Sequence, residues 1–160
     1  MDLSASITLD DSLWPLLVAR FVGEPSLQQQ EEYFSQLLVY LGRREKFVGI
    51  LDTQHVRLMT PEHRRRLVGF IREHEALMRS HVLGCAAVIT SPVMQLTASI
   101  ILHLIPMPFP YFTTASLPEA VRWATKLLDG PGHHPSTERI QQHYGLPLER
   151  CVGEPPRRVL

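Results

Sequence analysis

Residues 47–71 read FVGILDTQHVRLMTPEHRRRLVGFI, and this stretch decides the fold. It opens with a short apolar run, Phe47–Leu51, that ends at Asp52. Because the run does not alternate between apolar and polar residues, we expect a strand that is covered on both faces. A helix start follows, since Thr60 is a good N-cap and Pro61 suits the first helical position. One apolar stripe then continues along the predicted helix: Leu67, Phe70, Ile71, His74 and Met78.

The same pattern of strand and helix repeats on either side of this stretch. Downstream, the apolar run VLGCAAVI predicts a second buried strand, and Ser91-Pro92 predicts the start of a helix that ends near Leu104. Parallel strands joined through helices form a layered α/β domain, so we predict a single mostly parallel sheet of about five strands with helices from βα units. The other predicted elements are strands at Ser6–Leu9, Leu13–Val22 and Tyr111–Thr114, a turn at Asp10-Asp11-Ser12, and helices from Ser26 to Gly42 and from Ser116 to Leu128.

Length and composition limit the classes of protein that this chain can belong to. With 160 residues, it has the size of one domain with one core. Its basic and acidic residues balance at a formal net charge of +0, so no overall field attracts nucleic acid. The apolar stretch Ile100–Pro110 contains His103 and three prolines, and it is too short for a transmembrane segment. Two cysteines and an acidic N-terminus favour a cytoplasmic protein.

Residues that break helices and strands concentrate after Asp129, where glycine and proline interrupt most of the remaining sequence. We therefore divide the chain into an α/β domain, residues 1–128, and a Pro/Gly-rich C-terminal tail, residues 129–160. A short helix between Ser136 and Tyr144 is predicted within the tail. Since the tail has little apolar periodicity, it is expected to make few core contacts.

The region around Phe47–Asp52 resembles the STAS or SpoIIAA-like superfamily. The resemblance rests on this strand, on the loop through His55, Val56 and Leu58, and on the helix start at Thr60. It covers roughly residues 7–128 and implies a SpoIIAA-like fold. Members of the superfamily include anti-sigma-factor antagonists, and the CRAL-TRIO lipid-transfer domains share the broader architecture. A group of bacterial STAS-like proteins also resembles the chain in its arginine-rich second helix and its later proline-rich segment, here Arg64-Arg65-Arg66 and Pro106-Met107-Pro108-Phe109-Pro110.

The chain departs from the antagonists at the start of its second helix. Antagonists of the phosphorylated type carry an Asp-Ser-Ser-Gly-like motif there, whose serine a partner kinase phosphorylates. This chain has Met59-Thr60-Pro61-Glu62 instead. We therefore expect no phosphoryl switch, and we interpret Thr60 as a helix cap.

Residues that suggest chemistry have simpler structural interpretations. Eight histidines occur without metal-ligand spacing, and His133-His134 lie in the tail, so no metal site or cofactor is expected. His74 is interpreted as a core or boundary residue, and Cys85 as a packing residue in a buried strand. Asp52 lies where α/β sheets place functional loops, but a carboxylate that binds loop amides is the favoured interpretation. No catalytic residue is identified.

The helix that begins at Pro92 has more apolar surface than a sheet-covering helix needs. Its polar residues, Gln95, Ser99 and His103, occupy one narrow sector. We place Val93, Leu96, Ile100 and Leu104 at the centre of the face that covers the sheet. The surplus either packs within the chain or forms an exposed patch for self-association, a partner or an apolar ligand. The candidate binding residues are Met94, Ala98, Ile101, Leu102 and Ile105, with Met107 and Phe109 in the following loop.

These observations favour a non-enzymatic regulatory or scaffold module that acts by protein–protein interaction. A homodimer or a complex with a protein partner is expected. The alternative is a binder or carrier of a lipid or other apolar ligand, which the likeness to CRAL-TRIO domains and the apolar helix both allow. An enzyme ranks third, because no nucleophile, base and oriented acid come together in the sequence.

Overall fold

A five-stranded sheet forms the centre of the computed structural model, which describes residues 4–130 and 135–146. Its strand order follows the chain, and every neighbouring pair is parallel except the first, which is antiparallel. This architecture confirms the predicted fold class. The strands are β1 (Ser6–Leu13), β2 (Leu16–Gly23), β3 (Phe47–Val56), β4 (Val82–Val88) and β5 (Tyr111–Thr114). The helices are α1 (Leu27–Gly42), α2 (Pro61–Glu73), α3 (Glu75–His81), α4 (Pro92–Leu104), α5 (Leu117–Asp129) and α6 (Ser136–His143).

The helices divide between the two faces of the sheet because of the strand order. Helices α1 to α4 all lie in connections between successive parallel strands. Such crossovers share one hand, so a sequential strand order places their helices on one face. Helices α5 and α6 follow the last strand and cover the opposite face. The sheet therefore has two separate apolar layers, one against α1 to α4 and one against α5 and α6.

Several predicted helix starts are confirmed by cap hydrogen bonds. The hydroxyl of Ser26 accepts from the Gln29 amide, and the Gln29 side chain accepts from the Ser26 amide, which completes a capping box. The hydroxyls of Thr60 and Ser91 each accept from the amide three residues on, which caps α2 and α4. At α5, the Ser116 hydroxyl accepts from the Glu119 amide and caps the helix. The Glu119 carboxylate accepts from the Thr114 hydroxyl and not from the Ser116 amide, so no capping box forms.

Two strand boundaries differ from the sequence prediction. The ladder between β1 and β2 continues past Asp10 through a register shift, so the turn lies at Trp14-Pro15 and not at 10–12. Strand β3 continues to Val56 because its last residues still pair with the end of β2. Asp52 therefore lies within the strand and not at its end.

The predicted second helix is two helices. The backbone leaves helical geometry at His74, with φ −112° and ψ 19°. The ring of His74 lies 4.5 Å from the ring of Phe70, and its Nδ1–H donates to the Phe70 carbonyl at 2.9 Å. His74 thus has the structural role that the sequence predicted, at the junction of α2 and α3.

The layer under α5 is closely packed. A Cβ added at Gly84 would lie 2.5 Å from Leu127 Cδ1, so α5 approaches β4 as closely as a glycine allows. Helix α6 contributes to the same layer, where Ile140 is fully buried and Leu146 nearly so. The expectation of few core contacts after Asp129 is therefore wrong for residues 135–146.

The part of the chain that the structure describes contains no helix with both the length and the apolar character for crossing a membrane.

Candidate functional site

A cavity of about 160 Å³ lies between the sheet and the layer of α1 to α4. Side chains from β2, β3 and β4 form its floor, and side chains from α1, α2 and α4 form its walls and roof. Its lining is almost entirely apolar. The opposite face of the same sheet is filled by α5 and α6.

Small residues on the floor account for this space. Ala19, Gly49, Cys85 and Ala87 all line the cavity from three neighbouring strands. Gly49 pairs directly with Cys85, so the smallest residues lie side by side. Since successive residues of a strand face opposite sides, the larger Val48, Ile50 and Val88 fill the other layer.

Aromatic rings form the walls above this floor. Phe34 of α1 stacks on Phe70 of α2, with centroids 4.3 Å apart and planes inclined by 8°. Tyr33 also lines the cavity from α1, and Tyr111 lines it from β5. The stacked pair fixes the spacing of α1 and α2, because the helices cannot move closer without displacing two buried rings. The cavity is thus held open by its own walls.

Helix α4 covers the cavity with the apolar face that was predicted to exceed what covering the sheet requires. Met94 and Ile101 are only 4% and 6% exposed. Val93, Leu96 and Leu104, which were predicted to cover the sheet, are 49%, 64% and 52% exposed. The two faces of α4 are therefore the reverse of the prediction.

Six of the seven candidate binding residues nevertheless come together at the cavity. They are Met94, Ala98, Ile101 and Leu102 of α4, with Met107 and Phe109 of the following loop. Ile105 is buried in the apolar core of the same layer. The candidate residues thus meet in the interior and not as an exposed patch, although Leu102 also reaches the surface.

A smaller cavity of about 100 Å³ adjoins the first. It lies toward the first turn of α2 and is also mainly apolar, but Gln30 and His63 line it. The Gln30 side-chain Nε2–H donates to the His63 carbonyl at 2.9 Å. The residues that line both cavities are Tyr33, Phe34, Leu51, Thr53, Met59, Leu67 and Met94.

The predicted loop and cap residues lie outside the main cavity. Asp52 is buried, and its carboxylate accepts from the Gln54 amide at 3.1 Å and pairs with Arg20 at 3.4 Å. Neither cavity includes Asp52 among its lining residues. Thr60 caps α2 by accepting from the His63 amide at 3.2 Å, and it also contacts the ring Nδ1 of His63 at 2.6 Å.

Burial governs the titration of the groups that face the cavity. Loss of hydration raises the pKa of the Cys85 thiol to about 12. The same effect raises the pKa of Tyr33 and of Tyr111. These groups stay neutral near pH 7, so the cavity carries no charge from them. Cys85 is thus the buried packing residue that the sequence predicted.

The arginine-rich part of α2 is a surface that carries ion pairs. Glu62 binds Arg65 at 2.6 Å and Arg66 at 3.3 Å, and Arg66 also reaches Glu31 at 3.0 Å. Residues three and four positions apart are neighbours on a helix surface, which accounts for the two pairs of Glu62. Further along the helix, Arg72 donates to the carbonyl of Leu104 at 3.3 Å.

No cluster of three potential metal ligands occurs within 4–130 and 135–146. His133 and His134 lie outside the described residues. The sequence analysis missed the small-residue floor and the pair formed by Gln30 and His63. The run GCAA at 84–87 was a signal for the floor, but sequence alone does not reveal that three strands align their small residues.

A likeness in structure extends over most of the chain. No family model matches the sequence, and no curated protein matches it. Among solved structures, it is similar to an uncharacterised protein of the DUF3478 family from Shewanella loihica PV-4, which is described as having a SpoIIAA-like fold. The two chains are 12% identical with a TM-score of 0.56, and the match covers 75% of this chain and 93% of the other. The fold is therefore SpoIIAA-like, as the sequence resemblance implied.

Proposed function

We propose that this protein acts by binding and not by catalysis, and that it takes up a small apolar molecule in the cavity under α4. The cavity of about 160 Å³ carries this proposal. An apolar cavity of ~150 Å³ in another protein stays dry and admits a ligand of benzene size. We therefore expect a ligand with one apolar ring or one short alkyl chain.

The polar residues considered for catalysis support binding over chemistry. Asp52 is engaged by an arginine and a neighbouring amide on the far side of the sheet. The raised pKa of Cys85 keeps its thiol protonated, and a thiol is a weak nucleophile. His74 binds a carbonyl of its own helix. These contacts leave the three groups in structural roles.

Native mass spectrometry of freshly purified protein tests whether an apolar compound copurifies. A direct test adds benzene or hexane, which have the size that this cavity admits, and follows the melting temperature, which rises when a ligand binds only the folded state. The variant Ala87→Phe places a ring in the cavity and is expected to abolish this rise. Val93→Phe is the matched control, because Val93 lies on the exposed face of α4. An equal rise for wild type and Ala87→Phe contradicts binding in this cavity.

A second candidate function is protein–protein contact through the outer face of α4, with a second copy of the chain as partner. The exposed stripe of Val93, Leu96 and Leu104 favours it, because large apolar residues grouped on a surface mark interaction sites. A regulatory or scaffold role in the cytoplasm belongs to this second proposal.

Light scattering tests the second candidate. Leu96→Glu would place a charge in the interface of a dimer but would leave that charge solvated in the monomer. A folded monomer from a parental dimer supports the contact. Gln95→Glu, at the neighbouring exposed position, is the control and is expected to leave the dimer intact. A monomeric parent protein excludes self-association by this face.

A further inference from the structure

Two buried polar atoms of residues beside the smaller cavity have no hydrogen-bond partner among the described residues. They are Oε1 of Gln30 and Nε2 of His63, and both residues line that cavity. The Gln30 side chain is deeply buried, with the residue 5% exposed. Nearly all buried polar groups in proteins are paired, so two unpaired atoms beside one small cavity need an explanation.

The hydrogen bonds of Gln30 fix the role of its free atom. Its other amide atom lies 2.9 Å from the carbonyl oxygen of His63. A carbonyl only accepts hydrogen bonds, so this atom is the NH₂ nitrogen. The atom left without a partner is the Gln30 oxygen, an acceptor.

The surroundings of His63 fix the role of the second atom. The Thr60 hydroxyl oxygen already accepts from the backbone amide of His63 at 3.2 Å. It also lies 2.6 Å from His63 Nδ1. The arrangement that uses every group has the hydroxyl donating to Nδ1, which leaves the ring proton on Nε2. The His63 atom left without a partner, Nε2, is then a donor.

We propose that this donor and acceptor bind the hydroxyl head of an amphiphile, whose tail occupies the larger cavity. A hydroxyl accepts one hydrogen bond and donates another, which matches Nε2–H of His63 and Oε1 of Gln30. The two cavities adjoin along shared side chains, so the head and the tail of one molecule lie in neighbouring spaces. This inference rests on the proposed function, because it needs the larger cavity to take an apolar chain.

The volumes set the length of the amphiphile. The ~150 Å³ cavity that admits benzene offers roughly 25 Å³ for each non-hydrogen atom of its ligand. At that density, cavities of about 160 Å³ and about 100 Å³ hold a chain of roughly ten such atoms. A medium-chain alcohol has this size.

The test compares three probes with equal numbers of non-hydrogen atoms: 1-octanol, heptyl methyl ether and nonane. The ether keeps the acceptor of the alcohol but has no donor, and nonane has neither. Binding of each probe is measured by calorimetry on the full chain. Dividing the ether-to-alcohol ratio of Kd in the wild type by the same ratio in a variant cancels the different hydration of the probes. For Gln30→Met, which removes the partner of the probe's O–H, we expect this quotient to be roughly five to ten. For His63→Asn, which removes a donor that the alcohol and the ether both use, the nonane-to-ether ratio of Kd is divided in the same way, and we expect the same range.

Each of two variants removes one member of the pair formed by Gln30 and His63. His63→Asn keeps an amide group near the position of Nδ1 and removes Nε2, and Gln30→Met removes the acceptor at similar length. Gln28→Met, on the exposed side of α1, is the matched control and is expected to give a quotient near one. Melting curves establish which variants fold, and either folded variant decides the result.

The outcomes separate the inference from the proposed function. If neither benzene nor any of the three probes binds, the proposed function fails. If the probes bind and the folded polar variants give quotients near one, the cavity takes apolar molecules but the assignment of Gln30 and His63 is overturned. A quotient of roughly five to ten for each folded variant, with a quotient near one for Gln28→Met, supports the hydroxyl site.

Discussion

Neighbouring alanines on β4 provide a test of the difference between the two layers. Ala87 lines the cavity, whereas Ala86 is fully buried on the opposite face with α5. Side chains of adjacent strand residues point to opposite sides, so the same substitution probes an open layer and a filled one. We expect Ala87→Phe to stabilise the ligand-free protein and Ala86→Phe to destabilise it.

The size of the effect follows from the cavity volume. Cavities lower stability by ~24 cal/mol per Å³, so a space of about 160 Å³ corresponds to about 4 kcal/mol. A phenyl ring that recovers half of this raises stability by about 2 kcal/mol, which is a rise in Tm of roughly 4–8 °C for a domain of this size. Overpacking at Ala86 costs about 1–3 kcal/mol and lowers Tm by a few degrees.

Calorimetric melting of both variants without added ligand measures this contrast. Urea unfolding at 25 °C provides a second estimate of the free energy of unfolding. A drop in Tm for Ala87→Phe as large as that for Ala86→Phe would refute the reasoning, because it would mean that no usable space lies above the floor. Ala87→Leu places a smaller side chain in the same space. It checks whether a drop in Tm for Ala87→Phe comes only from a poor rotamer of the ring.

Three further predictions concern the packing of the fold. Ile140→Ala is expected to lower the free energy of unfolding in urea by about 2–5 kcal/mol, and the exposed control Gln142→Ala by less than ~0.5 kcal/mol. A neutral Ile140→Ala would mean that residues after 129 do not contribute to the core. Thr60→Ala is expected to cost ~1 kcal/mol while Thr60→Asp folds normally, and loss of association in a stable Thr60→Asp protein would contradict the capping role. The raised pKa of Cys85 predicts that the free energy of unfolding falls as pH rises above about 9 toward 12, because the unfolded thiol loses its proton first. In a Cys151→Ala background, the further change Cys85→Ala is expected to weaken this pH dependence.

Local signals in the sequence were sufficient for most of the fold. Ser26, Thr60, Ser91 and Ser116 each accept from a helix amide as predicted, because capping depends on residues only three positions apart. The buried strands were recognisable from continuous apolar runs. The end of β3 was missed, since pairing with the end of β2 extends it through polar residues.

The candidate site was predictable in its residues but not in its geometry. Periodicity identified α4 as unusually apolar, and most of the residues singled out there line the cavity. It could not tell which of two apolar stripes faces the sheet, because Leu96 and Ile101 are equally apolar and lie on different sides. That choice depends on how β4 directs the chain into the helix. The pair of Gln30 and His63 was also beyond sequence analysis, since α1 and α2 bring them together only in the folded chain.

The two apolar stripes of α4 explain why a single helix suggested both a ligand and a partner. The inner stripe, with Met94 and Ile101, covers the cavity, and the outer stripe, with Leu96 and Leu104, is exposed. Because the two sets of residues do not overlap, a change at Leu96 tests association without altering the cavity lining. A change at Ala87 tests the cavity without altering the outer surface. The two proposed functions are therefore separable by mutation, although both depend on the same helix.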